Sequence, residues 1–239
     1  MVFVIGAMLG AAAPCVEMAA PDFHASCERL ESEEQIGYEP LPRPSTTRRN
    51  PDRPLMIVTS ASIEAVKIII PDTFCDSRGS LCETYNRNRF VEHGIVSEFV
   101  QDNQSWSIKA GTVRGLHFQS HPDAQGKLVR VLRGSIFGVA VDLRRSSPTY
   151  GRWTAETLSE HDRKQMLLPV GFAHGFCTLE ADTIVLYKVT AHYSPAADLG
   201  IAWNDPDIAI DWPVRPDEAI LSERDARLPR LNSLKTYFE

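Results

Sequence analysis

From Val66 onward the apolar positions fall in short runs broken by turn residues. Val66 to Ile70 is rich in β-branched residues and stops at Pro71; Leu128 to Leu132, Ile136 to Leu143 and Thr183 to Thr190 have the same character. Branched side chains sit well on a pleated surface and less well in a helix, so these runs predict strands. Gly134 separates two of them, and the spacing predicts a hairpin there. No apolar stripe of helical period persists for three turns, and Phe90 to Gly94 holds a short helix at most. Short strands at this spacing predict an all-β sandwich or barrel.

The first 55 residues are unlike the rest. MVFVIGAMLGAAAPC imitates a secretory leader, with an apolar core and a small-residue run at Ala11 to Ala13, but no Lys or Arg precedes Arg29. A leader needs a positive start, and the apolar stretch is too short to span a bilayer. Glu39 to Leu55 carries Pro at 40, 42, 44, 51 and 54, a density that blocks helix and sheet alike. Patterned sequence opens at Met56. Residues 1–55 are therefore expected to be a dispensable, disordered or non-native extension ending in a Pro-rich linker, with 56–239 as the functional domain.

Composition narrows the class. The 239 residues include 25 Lys+Arg against 31 Asp+Glu, a net charge of -6, with 43% hydrophobic and 23% charged residues. Enough apolar surface exists for a sizeable core, which excludes bulk disorder. The acidic balance argues against a nucleic-acid surface, whose phosphate contacts need cations. Five cysteines, an odd number without a CxxC pair, signal neither a zinc cluster nor a disulfide framework. Reduced thiols in the cytoplasm and no membrane partner are the expectation. There is no GxxxxGK[ST] and no GxGxxG, so side chains would have to hold any nucleotide.

His117 and His174 lie on β-rich segments, which raises two chemistries. A metal-binding barrel wants three converging ligands. His117 and His121, at i and i+4 on a strand, share a face but stand roughly 13 Å apart unless the chain turns, which Pro122 permits. Metal-free proton transfer wants a base near neutral pKa, an acid on the far side of the substrate, and a cation for developing charge. His117, Tyr187 and Lys127 are of the right types. Each alone also fits a packing role, and composition and spacing do not choose.

Seven stretches, in order, do choose: Asp76-Ser-Arg-Gly79, Phe99-Val-Gln-Asp-Asn103, Val113-Arg-Gly-Leu-His-Phe-Gln119, Ala124-Gln-Gly-Lys-Leu-Val-Arg130, Val141-Asp-Leu-Arg144, Pro169-Val-Gly-Phe-Ala-His-Gly-Phe176 and Trp203-Asn-Asp-Pro206. Through them the segment from about Val66 to Leu231 resembles the dTDP-4-dehydrorhamnose 3,5-epimerase family. The resemblance implies an all-β, cupin-type jelly-roll β-barrel with short peripheral helices, a homodimer, no metal and no cofactor. It implies a dTDP-4-keto-6-deoxyhexose substrate, inverted at C3 and C5 to give dTDP-4-dehydro-L-rhamnose, the precursor of dTDP-L-rhamnose.

The family match assigns roles residue by residue. His117 matches the base, Asp225 the carboxylate behind it, Lys127 the cation near O4, and Tyr187 the acid on the other face. Arg78, Glu83, Gln101, Asp102, Asn103, Arg114, Lys127, His174, Tyr193, Asp198 and Arg224 match positions that hold the nucleotide or sugar. Arginine suits a diphosphate because its planar fork donates two bonds at once. Arg78 and Glu83 would also suit a simple surface ion pair. Two departures stand out: Asp198 where the family often has Glu, and Arg224 where it often has Lys. Single C3- or C5-epimerases and ketoisomerases of dTDP-4-keto-6-deoxysugars are the nearest alternatives. A non-catalytic sugar-nucleotide binder and a metal-dependent cupin enzyme are two further ones.

Overall fold

The short runs fold into two facing sheets in a computed structural model that describes residues 56–239. The expectations for residues 1–55 lie outside the described residues. The strands, in chain order, are β1 (Met56–Ser60), β2 (Lys67–Pro71), β3 (Thr73–Asp76), β4 (Gly79–Cys82), β5 (Gln101–Ser107), β6 (Val113–Gln119), β7 (Lys127–Arg133), β8 (Ser135–Asp142), β9 (Trp153–Ser159), β10 (Gln165–Leu168), β11 (Phe172–Thr178), β12 (Thr183–Val189) and β13 (Asp198–Gly200). A six-stranded sheet runs β1-β2-β10-β7-β12-β5, and a five-stranded sheet runs β13-β6-β11-β8-β9. All the pairings are antiparallel. This is the double-sheet closure of a jelly roll, the architecture the resemblance implied.

Three apolar layers follow from that closure. Between the sheets, Val129, Val131, Met166, Leu168 and Val185 meet Ile136, Ala140, Leu158, Phe172 and Phe176. Behind the five-stranded sheet, Leu116, Phe118, Val139, Val141 and Ala173 are covered by the C-terminal segment through Ile201, Ile208 and Phe238. Behind the six-stranded sheet, Ile69, Leu128 and Leu167 are covered by Phe90 and Ile95. Phe90 lies in the one α-helix of the described residues, α1 (Arg87–Glu92), whose first turn is capped by the Asn86 side chain. Each fully buried side chain of this size contributes about 1.5–3 kcal/mol.

The hairpin expected at Gly134 does not form. β7 and β8 follow one another but belong to different sheets, so Gly134 carries the chain across the barrel. It has φ +75, its N–H donates to Glu160 Oε1, and an added Cβ would stand 2.5 Å from Thr183 Oγ1. A tight crossover and a tight hairpin put the same glycine between two strands, and the spacing alone does not separate them. The strand limits otherwise agree with the sequence to within one or two residues, as is usual for element ends.

Candidate active site

Between the sheets, at one end of the barrel, lies a cavity of about 400 Å³. That volume suits a small-molecule site. Its wall includes Arg114 and His117 from β6, Lys127 from β7, His174 from β11, Tyr187 from β12, and Arg224 and Asp225 from the C-terminal segment. Seven of the residues expected from the sequence thus line one cavity.

β6 and β11 lie side by side, and His117 and His174 are register partners. Beside this pair the strands come unusually close. A Cβ on Gly115 would sit 2.6 Å from Gly175 Cα, and the register shifts between His174 and Phe176. Two glycines allow that approach, which gives a local irregularity next to the site. His117 Nε2 lies 2.7 Å from Asp225 Oδ1. Asp225 opens a 3-10 turn (Asp225–Arg227), its other oxygen accepts from the Gly115 N–H at 3.3 Å, and its own N–H donates to Ser222 Oγ at 3.1 Å. Burial pushes Asp225 upward, but the bond and charge of His117, the Gly115 amide and Ser222 together hold it below the ordinary carboxylate value. It is therefore an anion at neutral pH.

Lys127 is 8% exposed and donates to the His117 carbonyl at 3.3 Å. Burial lowers its pKa to about 8, and the charge of Asp198 opposes that shift. His174 is buried, and its Nε2 has no hydrogen-bond partner. Burial first, then Lys127 and His117, hold His174 well below the ordinary histidine value, so it is neutral. Tyr187 is pushed up by burial and opposed by Arg114, so its phenol keeps its proton at neutral pH. The Arg114 guanidinium is already oriented, donating to Ser107 Oγ at 3.1 Å and to the Trp106 carbonyl at 3.0 Å.

Other expected residues surround the mouth. Gln101 and Asn103 alternate on β5 and bond each other at 2.9 Å, and Gln101 Oε1 accepts from the Tyr193 N–H at 3.0 Å. Tyr193 donates through its hydroxyl to Asp198 Oδ2 at 3.2 Å, and Arg224 bonds the same oxygen at 2.6 Å. Asp102 does not join them. It is exposed and pairs with Lys188 at 2.9 Å, because period-two alternation turns it away from the face of Gln101 and Asn103.

Arg78 and Glu83 also stand apart from this chain's cavity. Arg78 lies in the β3–β4 hairpin, 87% exposed and bonded to Asp76, while Glu83 pairs with Arg89 at 3.0 Å. The hairpin's Ser80 and Cys82 lie beside Arg130 and Leu132, whose neighbours Val129 and Val131 fill the core. The hairpin therefore lies on the outer face of the six-stranded sheet.

Ser105 and Ser222 line the cavity and were not anticipated. Ser105 Oγ is the other buried side-chain polar atom without a partner among the described residues. Extending the alternation Gln101, Asn103 by one step would have found it; nothing in the sequence marked Ser222. His121 is turned toward Phe238, with ring centroids 5.5 Å apart. Among the described residues no three His, Cys, Asp or Glu side chains are grouped to hold a metal ion.

A cavity with a carboxylate-backed histidine on one wall and a protonated phenol on the other supports proton transfer, and the fold is that of cupin-type barrels. A family model described as dTDP-4-dehydrorhamnose 3,5-epimerase matches residues 60–233, and the chain belongs to that family. It is accordingly an isomerase. A protein of that name from Sinorhizobium fredii is 49% identical over 184 residues, covering 77% of this chain and 94% of that one. Another, from Methanothermobacter thermautotrophicus, is 49% identical over 177 residues, covering 74% and 95%. A crystal structure of the Legionella pneumophila enzyme in complex with dTDP-4-keto-L-rhamnose is 43% identical, with a TM-score of 0.72 over 75% of this chain and 95% of that one.

Proposed function

We propose that this epimerase inverts C3 and C5 of dTDP-4-dehydro-6-deoxy-D-glucose to give dTDP-4-dehydro-L-rhamnose, with His117 as base and Tyr187 as acid. One observation carries the assignment of roles. His117 stands on the five-stranded sheet and Tyr187 on the six-stranded sheet, and both line the same cavity. A sugar ring lying between the sheets has the base on one face and the acid on the other, as inversion requires.

Both carbons flank the C4 ketone. His117 takes the C5 or C3 proton, and the C–H electron pair moves into an enolate with its charge on O4. Lys127 stabilises that charge, and in a dry cavity such a contact is strong. Asp225 holds the His117 tautomer and stabilises the imidazolium that forms. Tyr187 then delivers its proton to the opposite face of the carbon. The cycle closes when the His117 proton leaves to solvent and the phenolate regains one.

Arg114 suits the diphosphate, while Gln101, Asn103, His174 and Tyr193 complete the sugar and nucleotide wall. Arg78 and Glu83 reach a cavity only on a second copy of the chain. A homodimer that presents the β3–β4 hairpin to its partner accounts for their position, and for the exposure of Phe74 and Leu81 beside Arg78. We place the enzyme in the cytoplasm, in keeping with the free thiols of Cys75, Cys82 and Cys177. No helix among the described residues is long and apolar enough to cross a membrane.

The test is turnover of dTDP-4-dehydro-6-deoxyglucose in deuterated water. Label at both C3 and C5 supports double epimerisation. Label at one carbon selects a single epimerase, such as the 3-epimerase of Streptomyces niveus that is 40% identical over 164 residues. No label removes the reading. For the dimer, sedimentation at twice the chain mass, together with weakened dTDP binding on Arg78→Ala, is the expected result.

A further inference from the structure

The carboxylate behind His117 rests on a slender support. Asp225 belongs to no strand; it opens a three-residue turn in a segment tied down at Ile220, whose N–H and carbonyl bond Gly111 and Val113, and at Pro229, whose carbonyl accepts from Ala202. Between those ties, and apart from the bonds of Asp225 itself, the side-chain hydrogen bonds to the barrel are those of Arg224, the residue just before Asp225. Its Nη1 donates to Asp198 Oδ2 at 2.6 Å, and its Nη2 donates to the Asp198 main-chain carbonyl at 3.4 Å. Asp198 is itself fixed. Its side chain is 13% exposed, Tyr193 donates to it, and it opens β13, which pairs with β6 so that Asp198 faces Gln119 and Gly200 faces His117. The ion pair thus joins the strand beside the base to the turn that carries the base's carboxylate.

We propose that Asp198 and Arg224 form a clamp that positions the Asp225 carboxylate on His117, so that their main effect is on proton abstraction rather than on nucleotide affinity. The two departures from the family's usual pair have a physical reading in this light. The acid is one methylene shorter than Glu, and the cation is longer and forked, so it spans the gap and bonds the Asp198 carbonyl as well. The two changes compensate each other across one contact, and neither alone preserves it.

The inference rests on the roles proposed for His117 and Asp225, and one set of measurements separates the two. Deuterium wash-in from solvent gives kcat, and calorimetric titration with dTDP gives Kd, for the wild type, Asp198→Asn, Asp198→Glu, Arg224→Lys and the double variant Asp198→Glu/Arg224→Lys. For each single variant kcat is expected to fall about 10–100-fold, the cost of displacing a reacting group by a fraction of an ångström to one ångström. Kd for dTDP is expected to stay within about twofold, since uniform binding is left intact. The double variant is expected to recover most of the lost kcat. A rise in Kd with unchanged kcat overturns the clamp in favour of plain substrate binding. A double variant no better than the single ones overturns it as well. A wild type that exchanges no deuterium removes the underlying roles instead.

Discussion

His117 and Asp225 are 108 positions apart in the chain and 2.7 Å apart in the barrel. The carboxylate accepts from the ring and from a backbone amide, and these bonds, the charge of the ring and the neighbouring Ser222 keep it ionised despite its burial. An anion so held fixes which ring nitrogen carries a proton and stabilises the imidazolium formed on abstraction. Asp225→Asn keeps the size and removes the charge. Deuterium wash-in at C3 and C5 is expected to slow by about a hundredfold or more, in line with the loss of an orienting carboxylate behind a catalytic histidine. The dTDP affinity should not move, and a comparable loss of affinity would argue that Asp225 serves binding instead.

Lys127 gives the reaction a pH limit. Its pKa of about 8 lies below the ordinary lysine value, so the ammonium that faces the enolate is present below that pH and is lost as pH rises through it. The kcat/KM profile is expected to fall on its alkaline side near pH 8. Bound diphosphate brings negative charge, favours the ammonium, and should move the corresponding limb of kcat to higher pH. Lys127→Met should cost about 10²–10³ in rate. Stability moves the other way. The unfolded chain binds more protons than the folded one between about pH 8 and 10.5, so folding stability rises with pH across that window. Below it the buried charge is a standing cost, and Lys127→Met should raise the melting temperature at pH 7 while it lowers activity.

Tyr187 separates exchange from inversion. Abstraction and return by His117 on one face exchange label without changing configuration, and only delivery from the other face inverts the carbon. Tyr187→Phe is therefore expected to keep wash-in closer to the wild-type rate than net epimerisation, followed by proton NMR of the sugar. Equal loss of both would contradict the assignment of the acid.

The sequence disclosed unequal parts of this arrangement. β7 and β12 carry branched runs on sheet positions that show as strands. β11 is buried at all seven positions, because it lies in the middle of the five-stranded sheet with apolar layers on both sides. Period-two alternation vanishes in such a strand, and only its histidine motif drew notice. The catalytic candidates were legible through ordered motifs, since Arg114, His117 and Lys127 sit on adjacent stretches. Asp225 sits in no apolar pattern and was found by family match alone. The clamp was visible only as two separate departures, because a separation of 26 positions between Asp198 and Arg224 hides a contact that the fold makes. The place of Asp102 followed from alternation, a rule available beforehand that the motif had overridden.

Asp142 tests what the barrel itself depends on. It is wholly buried at the end of β8 and accepts from the Arg144 main chain and guanidinium and from the hydroxyls of Ser147 and Thr149. Burial pushes its pKa up, but these bonds prevail and bring it to about 2. A carboxylate depressed in the folded state contributes stability that is complete above its unfolded value near 4 and disappears as pH falls through about 2. The shift corresponds to roughly 2 kcal/mol at neutral pH. Asp142→Asn should therefore lower the urea-unfolding free energy at pH 7 by about that amount. The gap from wild type should close between about pH 4 and 2, where the wild-type carboxylate also gains its proton. Asp142 is not among the residues that line the cavity, so kcat for deuterium exchange in the folded variant should remain that of the wild type. A variant with full stability at pH 7 would show that Arg144, Ser147 and Thr149 hold the neutral amide as well as they hold the anion.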